Sequence, residues 1–276
     1  MCGIATIAVG RGARGRVPYD KMRELTKELM LEIRWRGQDA SGIAVVNEDE
    51  CLVYKKPLRP SRFVVRPRFQ DILEKIGTKT NFVLLHSRKA SVGNNADSLN
   101  NHPIIASPVL GVHNGTLWND ARLFKKHKDH FQAEGSVDSE VIFKLFRMYL
   151  DRGASPKKAL RMTAKLLDGA FTGAAVDMRQ PSQMVMFKHE RDLSVFRIPH
   201  YDTVVTVSEP SFYYSAIKAA GINPKSKHST LGDGTGLFFD VSVGEVTEDM
   251  ESFPLPVKRS YYRRAQEFNA WTKFSG

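Results

Sequence analysis

Met1-Cys2-Gly3-Ile4-Ala5-Thr6-Ile7-Ala8-Val9 opens the chain. Residues 3–9 alternate weakly and are rich in Ile, Val and Ala, which predicts a buried strand. Removal of Met1 would leave Cys2 at the amino terminus, so that one residue carries both a thiol and a free α-amine. A thiol of pKa about 8.5 is a modest nucleophile at neutral pH, and an α-amine of pKa about 7.7–8.0 is a well-matched base for it. Such a residue supplies its own nucleophile and base, with no separate histidine required.

The 276 residues can bury one large core or two small ones. A content of 42% hydrophobic and 26% charged residues fits a soluble globular protein. No apolar run approaches the roughly 20 residues of a membrane helix. Residues 1–10 lack the basic start of a signal peptide. Cys2 and Cys51 are the two cysteines, too few for a disulfide framework, and they predict a reducing, cytoplasmic setting. The net charge of +11 admits nucleic acid, an anionic substrate or an acidic protein as partner. Lys55, Lys56, Arg59, Arg62, Arg66 and Arg68 form one basic segment. Lys258, Arg259, Arg263, Arg264 and Lys273 form another, in a tail that also holds Tyr261, Tyr262, Phe268 and Trp271. Neither matches a nucleic-acid-binding signature, so a solvated or protein-docking surface is expected at both.

Beyond the first strand, Asp20 is expected to cap a helix to about Ile33 with Met22, Leu25, Leu29 and Ile33 on one face. Strands are predicted at 42–46 and 52–55 around a polar turn, and at 82–86 and 109–113. Asn119 is placed at the cap of a short basic helix, Val137–Tyr149 reads as an apolar helix, and Ser155-Pro156 opens another. Four strands follow near 170–177, 183–188, 193–198 and 203–207, then a helix at 211–220 and strands at 237–240 and 245–247. Strands cluster in runs rather than alternating with helices, which favours antiparallel sheets covered by helices.

Gly10-Arg-Gly12-Ala-Arg-Gly15 fits the dinucleotide-binding pattern G-x-G-x-x-G and follows a strand. Val17-Pro18 separates it from the next helix, however, whereas a phosphate site needs the helix to start at the glycines. A flexible surface turn is the expectation there. His127 and His130, three apart among lysines, are expected to be solvated rather than metal ligands, and Cys51 is expected to be buried and inert.

Four other stretches sit at strand or helix ends: Arg36-Gly37-Gln38-Asp39-Ala40-Ser41-Gly42, His86-Ser87-Arg88-Lys89-Ala90-Ser91-Val92-Gly93, His113-Asn114-Gly115 and Val137-Asp138-Ser139-Glu140. Together with the initial Cys-Gly-Ile, in this order, they resemble the marks of the class II glutamine amidotransferases, whose glutaminase domains are N-terminal nucleophile hydrolases. The resemblance covers about residues 2–250, with residues 251–276 left as a basic, aromatic tail or helix. It implies an α+β fold, a four-layer αββα sandwich of two antiparallel sheets. It also implies hydrolysis of L-glutamine to L-glutamate and ammonia through a thioester on Cys2, with no cofactor and no metal. Asn114 and the Gly115 N–H would hold the oxyanion, Arg88 and Ser91 the substrate carboxylate, and Asp138 the α-ammonium. Arg36 and His113 would support them.

Departures accompany the likeness. Lys89 stands where many relatives have Trp or Tyr, Ser87 and Ser91 replace threonines, Val92 a frequent histidine, and Val137 a serine. Gln38 most resembles the amidophosphoribosyltransferase branch, yet no synthase, phosphoribosyltransferase or adenylating domain is expected after about residue 250. A stand-alone domain serving a separate synthase or acceptor subunit is therefore expected, with no membrane association. Each residue also has a bland alternative: Asp138 as a helix cap, Asn114-Gly115 as a turn, Arg88 as a surface ion pair. An amidase for another amide, or a non-catalytic binding module keeping the fold, are the rival functions.

Overall fold

Alternation along the first strand puts Ala5, Ile7 and Val9 on one face and Ile4 and Ala8 on the other, and both faces are buried. A strand covered on both sides needs a layer above and a layer below, and the computed structural model, which describes residues 1–90 and 93–258, has both. In chain order the strands are β1 (Gly3–Val9), β2 (Ala40–Asn47), β3 (Cys51–Lys56), β4 (Thr80–Arg88), β5 (Ile104–Ala106), β6 (Val109–Leu117), β7 (Gly169–Asp177), β8 (Gln183–His189), β9 (Ser194–Ile198), β10 (Thr203–Val207), β11 (Lys227–Thr230), β12 (Thr235–Asp240) and β13 (Glu251–Pro254). They form two antiparallel sheets, ordered β11-β9-β10-β1-β4-β2-β3 and β13-β12-β8-β7-β6-β5. The helices are α1 (Tyr19–Glu32), α2 (Pro60–Phe63), α3 (Pro67–Glu74), α4 (Asp120–Lys126), α5 (Glu140–Asp151), α6 (Pro156–Leu166), α7 (Pro210–Ala219) and α8 (Val246–Asp249).

Three apolar clusters define the layers. Leu25 and Leu29 of α1, Phe69 and Ile72 of α3, and Phe212 and Tyr213 of α7 cover the outer face of the first sheet through Ile7, Ile43, Leu85 and Phe196. Phe143 and Phe146 of α5 and Leu160 of α6 cover the second through Val109, Phe171 and Val185. Between the sheets, Ile4, Val46, Phe82 and Leu84 meet Leu110, Val112, Val176 and Met186. This is the αββα sandwich, with one strand of each sheet, β1 and β6, carrying a motif to the same end.

Local chemistry explains where the elements depart from expectation. Helix α1 starts at Tyr19 after Pro18, so Asp20 lies in the first turn rather than at the cap; a carboxylate is favoured there by the partial positive charge of the helix end. Asn119 and Ser155 do precede α4 and α6, but neither side chain makes a capping bond. The predicted strand 245–247 is instead the start of α8. Gly244 takes φ +60 and the Asp249 carboxylate accepts the Glu245 N–H, which closes a turn. Strand β13 then pairs with β12, so the second sheet extends to Pro254. The glycine-rich stretch is a 3-10 turn at Arg11–Arg16, pinned by buried Arg14, which donates to Glu48 at 2.7 Å and to Asn81. His127 stacks on Phe131. Tail residues 259–276 lie outside the described residues. No helix among the described residues is long and apolar enough to cross a membrane.

Candidate active site

Gly3 pairs with Ser87, so Cys2 arrives beside Arg88 and Lys89 at the end of β4. The Cys2 Sγ accepts the Lys89 N–H at 3.4 Å and lies 3.6 Å from the Lys89 carbonyl. Burial pushes the thiol pKa up, while the Lys89 N–H and the Arg88 charge pull it down and the Asp138 carboxylate pushes it up again. The Met1 amine is held below its usual value, first by burial and then by the charges of Lys89, Arg36 and Arg191. Arg36 is buried and ties the amino terminus in place. It donates to the Cys2 carbonyl at 2.9 Å, to Glu209 at 2.9 Å and to the Met1 Sδ at 3.2 Å. Two glycines allow this crowding. A Cβ on Gly3 would stand 2.5 Å from the Ile33 carbonyl oxygen, and one on Gly37 would stand 2.4 Å from the Arg88 backbone. A cavity of about 370 Å³ opens beside Met1, lined by Trp35, Arg36, Asp39, Lys89 and Glu209.

Arg88 is buried, not a surface ion-pair residue. Its guanidinium donates to Asn101 Oδ1 at 2.9 Å and to the Gly93 carbonyl at 3.0 Å, and it lies within electrostatic reach of Cys2, Asp39 and Asp138. Asp138 is not a helix cap either. Its Oδ2 accepts the Leu117 N–H of β6 at 2.7 Å, while α5 begins two residues later. His113 Nδ1 lies 2.7 Å from Ser139 Oγ, and burial holds the His113 ring below its usual pKa.

The sheets are joined at this end by His86, whose Nε2 is 3.1 Å from the His113 carbonyl. Since Ile4 pairs with His86, Cys2, Arg88 and the Asn114-Gly115 pair all lie just beyond that bridge. Asn114-Gly115 is no turn: it sits within β6, opposite Thr172 and Phe171 of β7. Gly115 has φ +154, and a Cβ there would come within 1.9 Å of the Ala170 carbonyl oxygen. The Asn114 Nδ2 is buried with no acceptor among the described residues. Leaving such a donor unsatisfied costs roughly 1–3 kcal/mol, and buried polar groups ordinarily have a partner. Asn114 thus keeps an unspent amide N–H on β6, close along the strand to the His113 carbonyl that meets His86.

A shell of polar residues that motif spacing did not flag holds these groups. Asn100 Oδ1 accepts the Ser136 N–H at 2.7 Å, which ties the loop after β4 to the loop carrying Asp138. The buried Glu140 carboxylate accepts the N–H groups of Glu134 and Gly135, and Lys144 pairs with Glu134 and Glu140. The one sequence signal was density: Asn94, Asn95, Asn100 and Asn101 fall within eight residues. Ser91 lies outside the described residues. Cys51 is half-buried at the start of β3, and burial lifts its thiol to about 11.

Known proteins similar to this chain are found both by sequence and by fold. No family model matches the chain. Over 187 residues, 67% of its length, it is 27% identical to a glutamine–fructose-6-phosphate aminotransferase of Vibrio parahaemolyticus, of which it covers 28%. Over 197 residues it is 25% identical to the protein of the same name from Halalkalibacterium halodurans, with 71% of this chain and 30% of the relative covered. The chain thus spans under a third of the length of these relatives. Among solved structures, glutamine phosphoribosylpyrophosphate amidotransferase from B. subtilis superposes with a TM-score of 0.66 at 19% identity, over 92% of this chain and 49% of that one. A glutamine aminotransferase class-II domain protein from Silicibacter pomeroyi gives 0.51 at 15% identity, over 94% and 100%. The two stacked antiparallel sheets and these likenesses give the chain the fold of those glutamine amidotransferase structures, and its ordered motifs accompany a sequence similar to part of the glutamine–fructose-6-phosphate aminotransferases.

Proposed function

We propose that this domain hydrolyses L-glutamine to L-glutamate and ammonia, with Cys2, freed of Met1, as nucleophile. The Cys2 sulfur attacks the side-chain amide carbon, and its own α-amine takes the thiol proton. Asn114 Nδ2 and the Gly115 N–H hold the developing oxyanion; one such donor is worth about 3–4 kcal/mol. The amine returns its proton to the leaving nitrogen, ammonia departs, and water cleaves the thioester to glutamate. Arg88 grips the substrate carboxylate, a task for which a planar two-pronged donor is suited, and Ser91 assists it. Asp138 faces the α-ammonium with the oxygen that Leu117 does not occupy. Arg36 holds the Cys2 carbonyl and so the angle of attack.

The observation that carries this reading is the unspent, buried Asn114 amide at the sheet end shared by Cys2, Arg88 and Asp138. As part of the same proposal, ammonia passes to a separate acceptor-activating subunit. The test is release of glutamate from L-glutamine by protein lacking Met1. Wild type is expected to turn over, Cys2→Ala to be inactive, and Arg88→Ala to need far more glutamine. Equal glutamate release by Cys2→Ala would overturn the assignment, and processed wild type that is silent even with its acceptor subunit would leave a binding module.

A further inference from the structure

Lys55 belongs by sequence to a run of six bases expected to be solvated, yet it turns inward. It lies on β3 opposite Gly42 of β2, which lies opposite His86 of β4. Residues directly opposite one another on neighbouring strands present their side chains to one face, here the face toward the second sheet. The segment Asn101-His102-Pro103 crosses that face at this row and is held at three points. Lys55 Nζ donates to the Asn101 carbonyl at 2.8 Å and to the Pro103 carbonyl at 2.9 Å. The His102 carbonyl fills the space above Gly42, where a Cβ would stand 1.9 Å from its oxygen. The His102 ring stacks on His86 with centroids 4.1 Å apart.

The clamped segment carries Asn101, whose Oδ1 accepts from Arg88 Nη1 at 2.9 Å and whose Nδ2 donates to the Asn95 carbonyl at 2.7 Å. We propose that Lys55 is a positioning residue for Arg88, acting through the Asn101 backbone, so that the guanidinium meets the glutamine carboxylate already aimed. This rests on the assignment of Arg88 to that carboxylate. Burial has a visible cost, since it lowers the Lys55 ammonium to about 8 against the pull of Asp97. The site spends that cost on two carbonyl bonds, and Nζ retains at least two N–H donors for them whether or not it is charged.

The test compares kcat and KM for glutamine in the full chain lacking Met1, as wild type, Lys55→Met, Lys55→Gln, Lys55→Arg, Asn101→Ala and Arg88→Ala. Lys55→Met keeps the apolar stem and removes the donors; it is expected to raise KM about tenfold with kcat within about twofold, while Lys55→Arg recovers most of the affinity. If Lys55→Met does not fold, Lys55→Gln carries the test, its shorter stem unable to span both carbonyls, with a rise in KM expected; Asn101→Ala shows what loss of the Arg88 contact itself costs. A rise in KM for Arg88→Ala with none for Lys55→Met or Lys55→Gln would overturn the role of Lys55 alone. An unchanged KM in Arg88→Ala would overturn the carboxylate assignment beneath it. Equal loss of kcat in Lys55→Met and Lys55→Arg at unchanged KM would mark Lys55 as merely structural and also overturn the inference.

Discussion

Asn114 and Lys55 fail opposite expectations for a polar residue, and each failure has a physical reason. Asn114 is buried and keeps an unspent donor; Lys55 is half-buried and spends its donors on two backbone oxygens. If the Asn114 amide stabilises an oxyanion, Asn114→Ala loses that interaction only in the transition state. Steady-state kinetics should then show kcat reduced by about 10²–10³ with KM little changed, and the thermal unfolding midpoint should stay level or rise, because no protein bond to Nδ2 is lost and the cost of its unpaired burial is relieved. A fall in stability without a fall in kcat would assign Asn114 to packing. Cys2, Arg88, Asn114 and Asp138 could be proposed from sequence because each lies in a short motif whose residue types suggest a chemistry. Lys55 and Asn101 were not. Their role depends on a loop 46 residues away in sequence folding across β3, and no local spacing carries that information.

At the level of elements, strands buried on both faces, as β1, β4 and β7 are, were legible as short continuous apolar runs. Reading failed where a side chain, not a pattern, sets the backbone. Asp249 bonding back to Glu245 turns a predicted strand into α8. Strand β5, at three residues, is too short to show a period. Gly42 illustrates the same dependence from the other side. Nothing about β2 itself demands glycine, and the demand comes from the His102 carbonyl above it. Gly42→Ala cannot be accommodated without moving that backbone, and overpacking of this kind costs about 1–3 kcal/mol. The expected outcome is a lower denaturation midpoint together with a raised KM for glutamine, because the displaced segment carries Asn101. An unchanged KM would separate the segment from the substrate site.

Across the whole molecule, the seam between the sheets holds neutral imidazoles. Burial, the largest cause, brings His86 down to about 3 and takes His102 well below the ordinary histidine value. An unfolded histidine binds its proton near pH 6.5. Between pH 6.5 and about 3 the unfolded chain therefore holds a proton that native His86 does not, His102 acts in the same direction, and unfolding becomes easier as pH falls. Well inside that window the His86 ring contributes a slope of about 1.4 kcal/mol per pH unit. Urea titrations at pH 7 and pH 5 should show stability falling with acid, and His86→Gln should flatten that dependence; an unaltered slope would contradict the neutral seam. The central claim, that Cys2 is the amino-terminal nucleophile of a glutaminase, is most directly tested by intact and peptide mass spectrometry of wild-type protein acid-quenched during turnover of glutamine. The account predicts a chain that begins at Cys2 and carries one γ-glutamyl group on that residue. Glutamate release from protein that retains Met1, or a glutamyl group on any other residue, would contradict it.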